Sequence, residues 1–352
     1  MTVEGRADLL STVQAQETAL RTIDHALATG RIHHAYLFVG PDGVGKERAA
    51  FGLAQALVCE RRGDQPAGLF GAEPTRIHAC GTCSACMRSL VREDTRRPIH
   101  PDVIVIERGL YAPQTIGKRT PETQDISIDQ IRTLVLARSA FAPHEGKAKV
   151  YVVRRAEELS ISAANALLKT LEEPGARTHF ILLTSQPEAL LPTILSRTQR
   201  VRFAPLPDDI VTSLLVASGV DVKRAADVTR LAGGSVAVGL SLADPEESEA
   251  RDKFVASALD AIGIGAPGRE GIEAILALAE TAKKEKERLP AYIAGLGAAL
   301  AERAATAARA GEPQAEAHAV RGRFALNALE HLSQNGAAQL VVEAMLTRMR
   351  GV

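Results

Sequence analysis

At 352 residues the chain is too long for one ordinary hydrophobic core, so two or three domains are expected. Hydrophobic residues make up 46% and charged residues 24%, the balance of a soluble globular protein. Lys plus Arg equals Asp plus Glu at 42 each, so no global basic excess marks nucleic-acid binding, and with 3% aromatics and no Trp a base-stacking grip on single strands is disfavoured.

The first residues, "MTVEGRADLL", carry no signal-peptide pattern, and no apolar run approaches the ~18 residues of a membrane span. A cytoplasmic protein without membrane attachment is expected, with its four cysteines as thiolates rather than disulfides. "ETALRTIDHALA" (17–28) sets Leu20, Ile23, Ala26 and Leu27 on one helical face, with Gly30 as the stop. "AYLFV" (35–39) reads as a buried strand entering the loop "GPDGVGK", and "ERAAFGLAQALVC" as the helix leaving it. Further strands are expected at 102–106, 149–153, 179–184 and 200–203, with helices between most of them. "SIDQIRTLVLARSA" opens with Ser127 and Gln130 in capping-box spacing and faces inward through Ile131, Leu134 and Val135. "ISAANALLKTLEEPG" stacks Ile161, Ala164, Leu168 and Leu171 and ends at Pro174-Gly175. Residues 107–126 read as one long polar loop. After "APLPDD" (204–209) no strand is expected, only short helices broken at Gly219 and Gly233-Gly234, then long Ala- and Leu-rich helices. Among these are "GIEAILALAETAKKEKERL", "AYIAGLGAALAERAATAARA", "GRFALNALEHLSQ" and "GAAQLVVEAMLTRM", the last with Leu340, Val341, Ala344 and Met345 as its packing stripe. Alternating strands and helices imply a parallel sheet covered on both faces, whose ligands bind at the carboxyl ends of the strands.

Cys80, Cys83 and Cys86 form C-x2-C-x2-C, and Cys59 lies at the end of the helix after the glycine loop. Four thiolates close a tetrahedral site, so a structural Zn2+ is expected, with an iron–sulfur cluster the rival for the same donors. Redox catalysis fits less well, because a dithiol enzyme needs one exposed pair of low pKa. With all four positions filled, such a metal holds a loop and does no chemistry.

The loop matches G-x-x-x-x-G-K-[ST] through Gly40, Gly45 and Lys46, with Gly43 between, but Glu47 stands where Ser or Thr should hold Mg2+. A carboxylate 4 Å from a phosphate oxygen is repelled by about 4 kcal/mol at an effective dielectric of ~20, although Glu47 could instead turn to a metal or to Arg48. After the strand "KVYVV", where an acidic metal ligand belongs, stand Arg154 and Arg155. No meaningful ATP hydrolysis is expected. Phosphate could still meet the loop's N–H groups and Lys46, so weak or vestigial nucleotide binding stays open beside none at all.

The segments "HHAYLFVGPDGVGKERAA", "KVYVVRRAEELSISAANALLKTLEEPG" and "HFILLTSQPEALLPTILSRTQRVRF", with the four cysteines, closely resemble the delta-prime family of bacterial DNA polymerase III clamp-loader subunits, over residues 30 to about 205. The resemblance implies an α/β AAA+ module with an inserted four-cysteine zinc knuckle (1–204, knuckle 59–86), a small helical lid (205–246) and an all-α collar (247–352). It implies a hetero-oligomeric ring with the motor (gamma/tau) subunits and the delta subunit, which opens the sliding clamp and places it on primer–template DNA. The motor subunit is the nearest rival, but it carries Ser or Thr at position 47, Asp-Glu at 154–155 and a nucleotide-sensing Arg in Gly-Ser-x-Arg, where this chain has Ala237. In "TILSRTQR" the resemblance makes Arg197, beside Ser196, an arginine finger acting in trans on a neighbour's ATP; read alone, Arg197 is an ordinary solvated charge before a strand. The Cys usual after that Arg is Thr198 here, and Thr184 and Ser185 at the sensor position are read as holding the strand end. Whether the chain is itself an enzyme stays open. DNA-directed DNA polymerase or other nucleotidyltransferase activity would belong to the holoenzyme. A self-sufficient NTPase motor on DNA is a competing function, and a small nucleotide kinase would have no use for "NALLKTLEEP" followed by "ILSR".

Overall fold

Four short apolar runs buried on both faces, with the polar and largely exposed run Gln199–Arg202 at one edge, form one parallel sheet. The computed structural model describes residues 8–62, 78–120, 125–263, 270–286, 288–333 and 336–352. Residues 1–7, 63–77 within the knuckle span and 121–124 within the polar loop lie outside the described residues.

In chain order come α1 (Glu17–Thr29), β1 (Ala35–Val39), α2 (Lys46–Val58), α3 (Ser84–Arg88), β2 (Val103–Ile106), α4 (Ile128–Ile131) and α5 (Ala137–Ser139). Next are β3 (Lys149–Val153), α6 (Ile161–Glu172), β4 (Thr178–Thr184), α7 (Pro192–Leu195), β5 (Gln199–Arg202) and α8 (Asp208–Ala217). The sheet order is β2-β3-β4-β1-β5, all parallel, so β1 is an interior strand between β4 and β5 and its loop emerges at the strands' carboxyl ends. The core on one face joins Leu37, Ile106, Tyr151, Val153, Phe180 and Leu182 to Ile131, Leu167 and Leu171 from the helices. Tyr151 and Phe180 stack across β3 and β4 with centroids 4.9 Å apart. This is the expected α/β module, and Gly30 ends α1 with φ +67° as expected.

Three local expectations change. Ser127 caps α4 by accepting from Gln130 N–H, but the helix then widens into a π-turn over Arg132–Leu136 before α5. The extra residue in that turn lets Leu134 and Val135 both reach the core. On α6 the buried stripe is Ala163, Ala164, Leu167 and Leu171, while Ile161 is 73% exposed. The 107–126 stretch is not wholly a polar loop: Pro113–Ile116 forms a 3-10 turn with Ile116 buried, and Ile126 bridges to Leu159.

The chain divides into two compact units, Met1–Leu214 with Gly233–Ala237, and Leu215–Ala232 with Val238–Val352. The second holds α9 (Val222–Ala232), most of α10 (Val236–Ala243), α11 (Pro245–Ala261), α12 (Glu270–Lys284), α13 (Leu289–Ala310), α14 (Gln314–Ser333) and α15 (Ala338–Arg350). Its core is mostly aliphatic, with Phe254 and Tyr292 as its buried aromatics: Ile293, Leu296 and Leu300 of α13 meet Ala325 and Ala328 of α14 and Val342, Met345, Leu346 and Met349 of α15. The expected single helix reaching Leu289 ends at Lys284, because Pro290 fits the first turn of α13 but not a helix interior. On α15 the stripe is shifted by one residue: Leu340 is 65% exposed and Ala344 faces solvent. Among the described residues no helix is long and apolar enough to cross a membrane.

Candidate functional site

The glycine loop runs from β1 into α2, and close packing dictates its residues. A side chain at Gly40 would sit 2.3 Å from the carbonyl oxygen of Phe203. Gly43, at φ +73°, faces the segment 233–237: a Cβ there would lie 2.4 Å from the Ala237 nitrogen and 2.8 Å from Ser235 Oγ. That segment is bonded to the loop, Ser235 Oγ donating to Asp42 O at 2.6 Å and Val236 N–H to Gly43 O at 3.3 Å. Ala237 thus sits against the loop at the position where the motor pattern calls for a sensing Arg, and offers only a methyl. From the other side the buried Gln16 donates to Val44 O (3.2 Å) and Ala204 O (2.8 Å) and accepts from Ala204 N–H. Gly45, at φ +101°, makes the final turn into α2.

Lys46 is buried and turned back on its own loop. Its ammonium donates to Gly40 O, to Pro41 O at 2.6 Å and to Asp42 Oδ1 at 3.2 Å. An ammonium has three donors, and these are three acceptors.

Glu47 is not paired with Arg48, which donates to Thr12 Oγ1 instead. Its carboxylate meets the guanidinium of Arg154, 107 residues away. Arg154 is 7% exposed and also donates to Glu107 Oε2 at 2.7 Å and to Arg96 O at 2.9 Å, with its guanidinium carbon 5.3 Å from the Phe51 ring centroid. Glu107 takes a second cation, Arg96. The two departures from the phosphate-loop pattern are therefore one feature: a guanidinium bridges Glu47 to Glu107 in the corner where Mg2+ would be ligated. Arg155 takes no part. At φ +50° the chain turns it outward, where Nε pairs with Glu158 at 2.9 Å. Magnesium nucleotide fits these residues poorly, since Lys46 is engaged and the metal's place is cationic. Thr184 and Ser185 do hold the strand end, Thr184 Oγ1 accepting from Gln186 N–H and Ser185 Oγ donating to Glu157.

Arg197 lies elsewhere. It precedes β5, and the β1–β5 register places Tyr36 opposite Gln199 and Val39 opposite Arg202. Arg197 is thus at the amino ends of the strands, more than three residue steps, or about 10 Å, from the level at which the glycine loop leaves β1. Its bonds go to the Glu172 carboxylate, to Thr193 O (3.0 Å) and to Ser196 Oγ (3.2 Å). Ser196 Oγ donates to Thr193 O, and Thr198 Oγ1 to Ile194 O, so both hydroxyls close the end of α7.

The four expected metal ligands do converge. The sulfurs of Cys59, Cys80, Cys83 and Cys86 all lie within 4.8 Å of one another, with Cys80 and Cys86 3.8 Å apart. Tetrahedral bonds of ~2.3 Å to zinc put sulfurs about 3.8 Å apart, so the donor set fits. Backbone N–H groups already point at the sulfurs: Cys80 N to Cys59 (3.3 Å), Cys83 N to Cys80 (3.2 Å) and Cys86 N to Cys83 (3.4 Å). The Cys59 thiol is held down to about 4 by hydrogen bonding from Cys86 first and then, against burial, by the Cys80 N–H. The Cys86 thiol is pushed up by serving Cys59 and by burial. Glu60 accepts from Ala85 N–H, and Gln55 of α2 donates to Cys86 O, fastening the knuckle to the helix that leaves the glycine loop.

Sequence reasoning missed Glu107, Glu172 and His78. The last lies between Asp8 (2.8 Å) and Asp24 (2.7 Å), which, Asp8 foremost, push its imidazole up to about 9 and tie the knuckle's approach to α1. Only its place in "IHAC", two residues before Cys80, hinted at it.

A family model described as "DNA polymerase III, delta subunit" matches residues 15–207. The gamma/tau subunit of Mycobacterium tuberculosis DNA polymerase III is 33% identical over 249 residues, covering 69% of this chain and 38% of that protein. The delta-prime subunit of Bacillus subtilis is 29% identical over 245 residues (69% of this chain, 64% of that one), and that of Pseudomonas aeruginosa 38% over 174 residues (49% and 44%). The chain thus aligns with less than two thirds of these relatives' lengths. A solved gamma-subunit-related protein from Thermotoga maritima superimposes with a TM-score of 0.42 at 18% identity, covering 94% of this chain and 98% of that one.

Proposed function

Because the chain belongs to the family described as DNA polymerase III, delta subunit, and so to the clamp-loader proteins, we propose that it is a subunit of the delta-prime kind: a stator that burns no nucleotide of its own. Identity to gamma/tau and delta-prime relatives is similar and does not separate motor from stator. The observation that carries the reading is the Glu47–Arg154–Glu107 bridge beside a Lys46 already bonded to its own loop. A motor needs both positions for metal and phosphate. Nucleotide is then bound weakly or not at all, and zinc in the knuckle is structural. The chain would sit in a ring with gamma/tau and delta subunits and act through them on the sliding clamp and primed DNA. Its three parts would be the α/β module to residue 204, a helical lid over 205–246 and a collar from 247. Polymerase or nucleotidyltransferase chemistry is not assigned to it.

Arg197 is the group this subunit would contribute. Placed at the far end of the sheet from its own loop, it can serve only an anion presented from outside, and a guanidinium on a neighbour's γ-phosphate is worth roughly 10³–10⁵ in rate. In a complex reconstituted with the cognate gamma/tau and delta subunits, Arg197→Ala should cut DNA- and clamp-stimulated ATPase at least tenfold, with assembly unchanged on gel filtration. Full stimulation by the variant complex would remove Arg197 from the mechanism. Hydrolysis by the isolated chain, lost on changing Lys46, would favour the motor reading instead.

A further inference from the structure

Arg197 is already held. Two of its nitrogens are engaged within this subunit, one on the Glu172 carboxylate and the other on Thr193 O and Ser196 Oγ. The two oxygens beside it, Thr193 O in α7 and Ser196 Oγ at its C-cap, lie within four residues of Arg197 on the same turn of chain, so they travel with it. Glu172 does not: it is the last residue of α6, separated from Arg197 by β4 and α7.

A carboxylate at that position is unfavourable for the helix alone. The last turn of a helix carries the negative end of the dipole and favours cations, yet "LEEP" puts Glu172 and Glu173 there. Arg197 offsets the charge of the first. We infer that Glu172 is a positioning residue that latches Arg197 in a resting orientation, and that release from Glu172 precedes contact with a neighbour's phosphates. The inference rests on the trans role proposed above for Arg197.

The latch is built to be weak. Both side chains are partly solvated, Arg197 34% and Glu172 48% exposed, and pairs of that kind hold their partners by a factor of about five or less. A triphosphate with its metal can outcompete a single carboxylate for a guanidinium, and the planar fork suits either partner. The apparent activity of the finger is its intrinsic activity scaled by the fraction unlatched. Removing the latch therefore raises activity where the interface is loosely formed and leaves it unchanged where clamp and DNA already close it.

The test uses the reconstituted clamp-loader complex with Glu172→Gln, which keeps size and hydrogen bonding and removes the charge. Basal ATPase, without clamp or DNA, should rise about two- to fivefold, with the fully stimulated rate unchanged, so that the stimulation ratio falls. Combined with Arg197→Ala, Glu172→Gln should have no effect, a dependence that a merely structural role would not produce. A basal rate equal to wild type overturns the latch, as does a rise that persists without Arg197. A fall like that of Arg197→Ala also overturns it, since Glu172 would then be presenting the finger rather than restraining it. These outcomes are distinct from failure of the trans role itself, in which Arg197→Ala alone leaves stimulation intact.

Discussion

The glycine loop and the cysteine knuckle both carry the spacing of a ligand site, and they differ in what their donors already hold. In the loop every charged group has found a partner from within: Lys46 on three loop oxygens, Glu47 on Arg154, Arg154 on Glu107 and a backbone carbonyl. In the knuckle four sulfurs face one another, attended among the described residues by backbone N–H groups, neighbouring thiols and the Thr82 hydroxyl. Both lie on α2, one at each end. A motif announces which atoms stand together; whether they remain available depends on residues elsewhere in the chain. Here the difference separates a site that folding completes from a site that folding leaves for a metal.

The largest effect expected from this contrast is at the knuckle. Structural zinc contributes apparent free energies of roughly 10–16 kcal/mol to small zinc-finger peptides, so replacing Cys80 and Cys83 together by Ser should abolish metal binding and loosen this segment. Metal analysis of the purified chain should give one zinc per wild-type molecule and none for the double variant, with a lower Tm and faster proteolysis between α2 and β2. Wild-type protein that carries no metal and melts unchanged after chelation would erase the contrast. Iron in place of zinc would keep the contrast and change the metal.

Next is Arg154→Met, which removes the internal cation. Breaking a fully buried ion pair costs ~3–5 kcal/mol, but Glu47 is half-exposed and Glu107 keeps Arg96, so about 2 kcal/mol is expected in urea denaturation. An unchanged midpoint would mean that the bridge contributes little and that the case for a nucleotide-free loop rests on Lys46 alone.

Much of the sheet was legible because a buried parallel strand is a local pattern. "AYLFV" and "KVYVV" became β1 and β3 without change of boundary, and the four cysteines met as their spacing implied. The partners inside the loop were not legible. Glu47 and Arg154 are 107 residues apart and Arg154 and Glu107 are 47 apart, and no periodicity links them. The sequence marked both 47 and 154 as departures from a pattern without showing that each answers the other. The helical stripes slipped for a different reason. "NALLKTL" and "AAQLVVEAML" offer adjacent apolar residues on two overlapping faces, so Ile161 and Leu340 fitted a stripe that the fold turned toward water. Glu172 could not have been chosen from "LEEPG", where two glutamates are equivalent until β5 places Arg197 beside one of them.

The smallest effect sharpens the comparison most, because it restores the motif's lettering and nothing else. Glu47→Thr makes the loop read G-x-x-x-x-G-K-T, and a purely local view would have it regain nucleotide. The geometry gives the opposite result. Arg154 stays in the metal's place, now with one acidic partner fewer, and Lys46 stays on Gly40, Pro41 and Asp42. The variant should lose about 1 kcal/mol of stability, the scale of a partly exposed ion pair, and show no heat of Mg-ATP binding in calorimetric titration. Tight binding by Glu47→Thr alone would mean that a triphosphate can displace Arg154 and draw Lys46 off its loop. The loop would then join the knuckle as a site awaiting its ligand, and the case for a nucleotide-free stator would fall with the distinction between them.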